Sequence, residues 1–172
     1  MLKLMHFLLM ILACSAMFTS VQAAGKRPVD SWNYYHFDGN VFVPGSGNGG
    51  KAYLAVMDKM MPRILKASAP TTEQQHLPDD NGGVAGICYL QSTGGKLGLT
   101  AAASSRSARS NLVISSGGRK YAVVETDDDG FFALALPAGL YSISGGSVAS
   151  DITVTEGKTT LTAVRTGKRV VD

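Results

Sequence analysis

The sequence predicts a mainly β protein: an antiparallel β-sandwich of about seven strands, preceded by an export signal and an extension with one helix. Three observations carry that prediction. From Val84 onward, short runs of β-branched, aromatic and small apolar residues recur with turn chemistry between them, as in sandwiches. Asp151-Ile-Thr-Val-Thr155 and Thr160-Leu-Thr-Ala-Val164 alternate polar with apolar, as half-buried antiparallel strands do. Thr126 to Ser144 reads as an acidic turn, a strand, a Pro-x-Gly corner and a second strand. Gly130 and Gly139 supply positive-φ positions in that reading.

Taken in order, the chain opens with Lys3 in a short basic segment, followed by apolar Phe7-Leu-Leu-Met-Ile-Leu-Ala13. Val21-Gln-Ala23 matches the small-x-small pattern of a cleavage site. Residues 1–23 are therefore expected to be a signal peptide, with the mature chain starting at Ala24. A lipobox-like reading of Ile11-Leu-Ala-Cys14, with a lipid anchor on Cys14, competes with this one; Ile11 and Leu12 fit it poorly. The apolar run is short for a bilayer crossing, so no transmembrane span is expected. The expected location is periplasmic, cell-surface or secreted.

Removing 23 of the 172 residues takes away one charge, Lys3, and lowers the formal balance from +3 to +2. That balance and the scattered basic residues argue against nucleic acid as a partner. Cys88 is the only cysteine left, so neither an internal disulfide nor a cysteine zinc cage is available.

Residues 24–81 read as an N-terminal extension and linker. A polar arm leads to Trp32-Asn-Tyr-Tyr-His-Phe37, with a short strand expected at Asn40 to Val43 and the loop Pro44 to Gly50 after it. Tyr53, Met57, Met60, Met61 and Ile64 share one helical face over residues 51–66. Pro62 interrupts that helix, and a strand over Tyr53–Met57 is the competing reading. Ser68 to Gly83, rich in Pro, Gly and Asp, reads as a linker.

Residues 82–172 are expected to form the sandwich domain, and residues 82–168 to fold without the extension. Strands are expected at Val84–Leu90, Leu97–Ala103, Asn111–Ile114, Lys120–Glu125, Phe131–Leu136, Leu140–Ser144, Val148–Thr155 and Thr159–Arg165. The polar run Ser104 to Ser110 is an exposed loop or edge.

Val84-x-Gly-Ile, Thr126-Asp-x-Asp-Gly-Phe-Phe, Leu136-Pro-x-Gly-x-Tyr-x-Ile143 and Val154-x-x-Gly-x-Thr-x-Leu161 resemble carboxypeptidase regulatory-like domains. These are small transthyretin-like (prealbumin-like) β-sandwiches. The resemblance covers about residues 82–166 and implies a fold rather than an activity.

Four aromatic residues, Trp32, Tyr34, Tyr35 and Phe37, are the candidate binding site, since rings stack on sugars and anchor protein partners. The competing reading buries alternate members in the core. His36 and Asp38 would share a face on a strand, but no nucleophile or hydrolase motif accompanies them. Asp127–Asp129 lack the spaced ligands of a calcium loop and read as a turn capping amides. Met57, Met60 and Met61 could bind Cu(I) through thioethers, but without a neighbouring His or Cys they read as packing. His76 stands alone in the linker. No metal and no cofactor is expected. The expected function is a non-enzymatic binding or scaffolding module of the cell envelope, contacting a protein or carbohydrate partner. The alternative is a small exported hydrolase or metal-handling protein.

Overall fold

The computed structural model describes residues 31–46, 50–66, 74–92 and 104–167. The signal peptide over 1–23, the Cys14 alternative and the polar arm up to residue 30 lie outside the described residues. So do residues 47–49 of the Gly-rich loop, residues 67–73 of the linker, the strand expected over Leu97–Ala103, and residues 168–172. Among the described residues there are twelve strands and no helix, and none of them forms a helix long and apolar enough to cross a membrane.

The extension forms a sheet of its own. β1 (Asn33–Phe37) lies between β2 (Phe42–Pro44) and β3 (Tyr53–Val56), and β4 (Arg63–Leu65) pairs with β3, all antiparallel. The helix expected over residues 51–66 is therefore replaced by β3, a turn and β4. Lys59 takes a left-handed φ of 63°, and the Met60 amide donates to Met57 O at 3.2 Å, reversing the chain. Pro62 enters β4 with its ring buried against Gly83, where a Cβ would come within 2.9 Å of it. The helical spacing of the methionines was coincidental: Met60 is buried, while Met57 and Met61 are half-buried.

The second half contributes eight strands. β5 (Asn81–Ser92) is the long central strand of the middle sheet. Along one edge it pairs in parallel with β12 (Thr159–Arg165). Along the other it pairs antiparallel with β9 (Phe131–Pro137) and then with β6 (Ser104–Ser107). The change of partner falls at Cys88, whose amide donates to Gly130 O at 2.8 Å and whose carbonyl accepts from the Ala108 amide at 2.9 Å. The third sheet runs β11 (Ala149–Val154), β10 (Gly139–Ser144), β7 (Asn111–Ser116), β8 (Arg119–Glu125). The sandwich is mainly β with antiparallel sheets, as expected, and β12 is the exception. The linker is shorter than expected: Asn81 to Gly83 belong to β5, and Leu77 is buried with its amide on Lys59 O at 3.0 Å.

Alternation along the middle sheet builds two cores. Val84, Cys88, Phe132, Leu136 and Val164 face the third sheet and meet Leu112, Ile114, Tyr141, Ile143, Ile152 and Val154. Ala85, Ile87, Phe131, Ala133, Leu161 and Ala163 face the other way. Onto them pack Tyr35, Phe37, Phe42, Leu54 and Ile64 of the N-terminal sheet. The alanines of the middle sheet leave room for those large side chains. The rings connect in sequence: Tyr89–Phe37 at 5.1 Å, Phe37–Phe42 at 5.7 Å and Phe42–Phe131 at 6.5 Å between centroids. The result is a stack of three sheets, with the extension as the third layer.

Two glycines are required for opposite reasons. Gly86 sits where a Cβ would fall 2.7 Å from the Phe132 ring and still closer to the Thr162 carbonyl. Gly130 has φ 79° in the acidic turn, as the turn chemistry anticipated. Gly139 departs from expectation: its φ is not positive, and a Cβ there would make ordinary contact with the Tyr141 ring at 3.5 Å. The corner is held instead by the Tyr141 hydroxyl, which donates to Pro137 O at 3.1 Å, and by the Ala138 amide on Asp80 O at 3.0 Å.

Candidate functional site

The aromatic run of β1 is divided between the two faces of the N-terminal sheet. Tyr35 and Phe37 point inward and belong to the inter-sheet core. Tyr34 is 43% exposed on the outer face, where its ring meets Tyr53 edge-on at 5.9 Å. Trp32, two residues before Tyr34, lies under the Arg63 guanidinium at 5.5 Å, a cation–π geometry. The register sets Tyr34 opposite Ala55, Ala55 opposite Arg63 and Tyr53 opposite Leu65. Trp32, Tyr34, Tyr53 and Arg63 thus lie together on the outer face of the sheet, where Tyr34 is exposed and the other three are half-buried. Of the four residues singled out in the sequence, two face outward and two are core. Tyr53 and Arg63 were missed because they are distant in sequence; their partners appear only once β1 and β3 pair.

At one end of this sheet opens a cleft of about 540 Å³ between the β1–β2 turn, the start of β3, β6 and the acidic turn. Phe37, Ala52, Ile87 and Phe131 supply its apolar lining, and His36, Asp38, Lys51, Ser105, Arg106 and Asp129 border it. His36 and Asp38 do not form a catalytic pair. β1 ends at Phe37, and Asp38 begins the turn, its Oδ1 accepting from the amides of Asn40 (2.8 Å) and Val41 (2.9 Å). The Val41 amide, then the Asn40 amide, hold the Asp38 carboxyl below its ordinary range. The His36 imidazole donates from Nδ1 to Gly45 O at 3.2 Å, which fixes the proton on that nitrogen in the neutral ring.

The acidic turn is a capping structure tied down by two cations. Asp127 Oδ1 accepts from the amides of Asp129 (3.0 Å) and Phe131 (2.8 Å). Lys66, just beyond β4, pairs with Asp127 at 3.0 Å and Asp129 at 2.5 Å. Asp129 and then Asp127 raise the Lys66 pKa above its ordinary value. Arg109 bridges Glu125 and Asp128, each at 2.8 Å. The carboxylates that would ligate calcium are thus occupied by ammonium, guanidinium and amide donors. Among the described residues no group of three His, Cys, Asp or Glu is placed to hold a metal ion.

His76 is not isolated in a linker. Its backbone bridges to Met60, which sets the two residues opposite each other, although Met60 itself is buried. Cys88 is buried in the main core, and burial pushes its thiol pKa up, away from a reactive thiolate.

No protein-family model matches the chain, and no curated protein or solved structure is detectably similar to it.

Proposed function

We propose that the chain is an exported, non-enzymatic binding module of the cell envelope that contacts a protein or carbohydrate partner. The sandwich of residues 82–166 is read here as a carboxypeptidase regulatory-like domain, on the turn and core motifs quoted above. The N-terminal sheet is its recognition layer. One observation carries this reading: Trp32, Tyr34 and Tyr53 are gathered on the outward face of a sheet whose inward face packs on the middle sheet. Flat rings on a rigid strand lose little side-chain entropy on binding and serve both sugar stacking and protein anchoring. The side chains that a hydrolase reading would use are engaged with backbone groups, His36 with the Gly45 carbonyl beyond β2 and Asp38 with amides of its own turn.

Affinity capture from the native envelope, with the mature protein as bait, tests the proposal. His36→Ala and Asp38→Ala are expected to retain the partner, and Trp32→Ala with Tyr34→Ala to lose it. A hydrolytic activity that disappears in the His36 or Asp38 variant while capture persists would favour an enzyme instead.

A further inference from the structure

We propose that β12 is a dimer seam, along which two copies of this chain pair as antiparallel edge strands about a two-fold axis at Thr162.

β12 lies at an edge of the middle sheet, and the hydrogen bonds at its two ends fix which backbone groups it leaves open. The Gly83 amide donates to Lys158 O at 2.9 Å, and the Thr166 amide donates to Tyr89 O at 2.8 Å. Backbone groups of successive strand residues point to opposite sides, so Thr160, Thr162 and Val164 also turn theirs toward β5. The N–H and C=O groups of Thr159, Leu161, Ala163 and Arg165 therefore point out from the edge of the sheet. None of them is paired among the described residues. β2 and β11, edge strands of the layers on either side, touch β12 without pairing with it.

The other edges are guarded against strand addition. β2 and β4 have three residues each, with Pro44 in one and Arg63 in the other. β6 carries Arg106, and β11 carries Asp151. β8 opens with Arg119 and Lys120, and its register against β7 shifts between Ile114 and Ser115. On β9, Asp127 takes both backbone groups of Phe131, the Tyr141 hydroxyl takes Pro137 O, and Pro137 has no amide to offer. β12 runs for seven residues in regular register, without proline, and its one charged residue, Arg165, stands at the last position.

The occupant that this edge matches is a second β12. The open groups are placed symmetrically about Thr162, so antiparallel pairing sets Leu161 opposite Ala163 of the second copy and Thr159 opposite its Arg165. About eight backbone hydrogen bonds then close the seam. The side chains agree with that register: Leu161 meets a small alanine, Thr160 meets Val164, and Thr162 meets its own counterpart. Apolar and β-branched pairs stabilise a sheet, and no like charges are opposed, because Arg165 meets a threonine. Opposite residues point to the same face, so the N-terminal sheets of both copies lie on one side of the joined middle sheet. Their outer faces look the same way, and the dimer engages a partner array at two points. Only this bivalence rests on the binding-module reading.

Sedimentation equilibrium of the chain from Ala24 tests the seam. Wild type is expected at twice the mass of one chain. Ala163→Pro removes an amide that β5 does not use, and it is expected to weaken the dimer by about tenfold or more, with circular dichroism unchanged. Thr162→Cys sets two thiols at a non-hydrogen-bonded pair, with Cα atoms about 4.5 Å apart, within disulfide reach. Cys88 is buried and does not compete. Mild oxidation is expected to cross-link Thr162→Cys. Thr160→Cys, whose two thiols lie about 13 Å apart along the seam, should stay unlinked. A wild type that stays monomeric at high concentration would overturn the proposal; protection of the β12 edge amides from exchange in that monomer would assign the edge to another segment of the same chain. A dimer indifferent to Ala163→Pro, in which both cysteine variants link alike, would overturn it in favour of another surface. If the dimer stands but Ala163→Pro captures a densely immobilised partner as tightly as wild type does, the bivalence alone is refuted.

Discussion

Leu54 lies at the centre of the packing between the N-terminal sheet and the middle sheet, and it is fully buried. Leu54→Ala removes its isopropyl end from among Ala85, Ile87 and Phe131, side chains on the other layer. A buried Leu→Ala change costs about 2 to 5 kcal/mol, the spread reflecting how far the site can collapse. The floor here is a paired sheet with alanines at its surface, which cannot move in to fill the space, so about 3 kcal/mol is the expected cost. For a chain of this size that corresponds to a fall of roughly 6 to 12 °C in melting temperature. The assay has an internal control, because Trp32 is the only tryptophan and belongs to the N-terminal layer. Its fluorescence reports that layer, whereas far-UV circular dichroism reports all three. If the layers form one unit, both signals shift together and coincide in wild type and variant. Separate transitions, with Leu54→Ala moving only the fluorescence, would refute the reasoning. They would also support the expectation that residues 82–168 fold without the extension.

Gly86→Ala is expected to destabilise the fold by more than about 2 kcal/mol, because its methyl group meets the Phe132 ring and the β12 backbone. Gly139→Ala, at the Pro-x-Gly corner, is expected to stay within about 1 kcal/mol of wild type, and paired thermal melts check the contrast. Exposed Asp38 and half-buried Lys66 contribute to the pH dependence of stability. The folded-state pKa of Asp38 lies below its ordinary value of 3.8, so its stabilisation is present above that pH and is lost as pH falls through the lowered value; Asp38→Asn should flatten the acid limb of a stability profile. Lys66 is shifted the other way, above 10.5, so its contribution is full below that pH and is lost as pH rises through the folded value. Lys66→Met should flatten the alkaline limb.

The sandwich was legible in the sequence because its signals are local. Gly130 and the strand after it, with Phe132, Leu134 and Leu136 on one face, declare themselves within a few residues. The same strand carries Phe131 and Ala133 on the opposite face, and there the sequence is ambiguous: alanine suits a core or a surface equally. That ambiguity hid the third layer, because Ala85, Ala133 and Ala163 give no warning that Tyr35, Phe37 and Phe42 will cover them. The region of residues 51–66 was misread for a different reason. Its apolar residues fit a helical period, but Pro62 and the left-handed Lys59 leave only short extended pieces between reversals. Half of the candidate site was visible as an aromatic run on one strand. The other half, Tyr53 and Arg63, comes from segments that meet only through sheet pairing, which no local pattern encodes.

The central claim is that the outer aromatic face of the N-terminal sheet is the contact surface, and Trp32 allows it to be observed directly. The decisive measurement is a titration of the protein with a partner captured as proposed above, followed by tryptophan fluorescence. The expected result is a saturable change in Trp32 emission, with affinity weakened by about 2 kcal/mol, roughly thirtyfold, in Tyr34→Ala at an unchanged melting temperature. Binding that leaves Trp32 emission untouched and is equally tight in Tyr34→Ala and Tyr53→Ala would place the contact elsewhere and contradict the account.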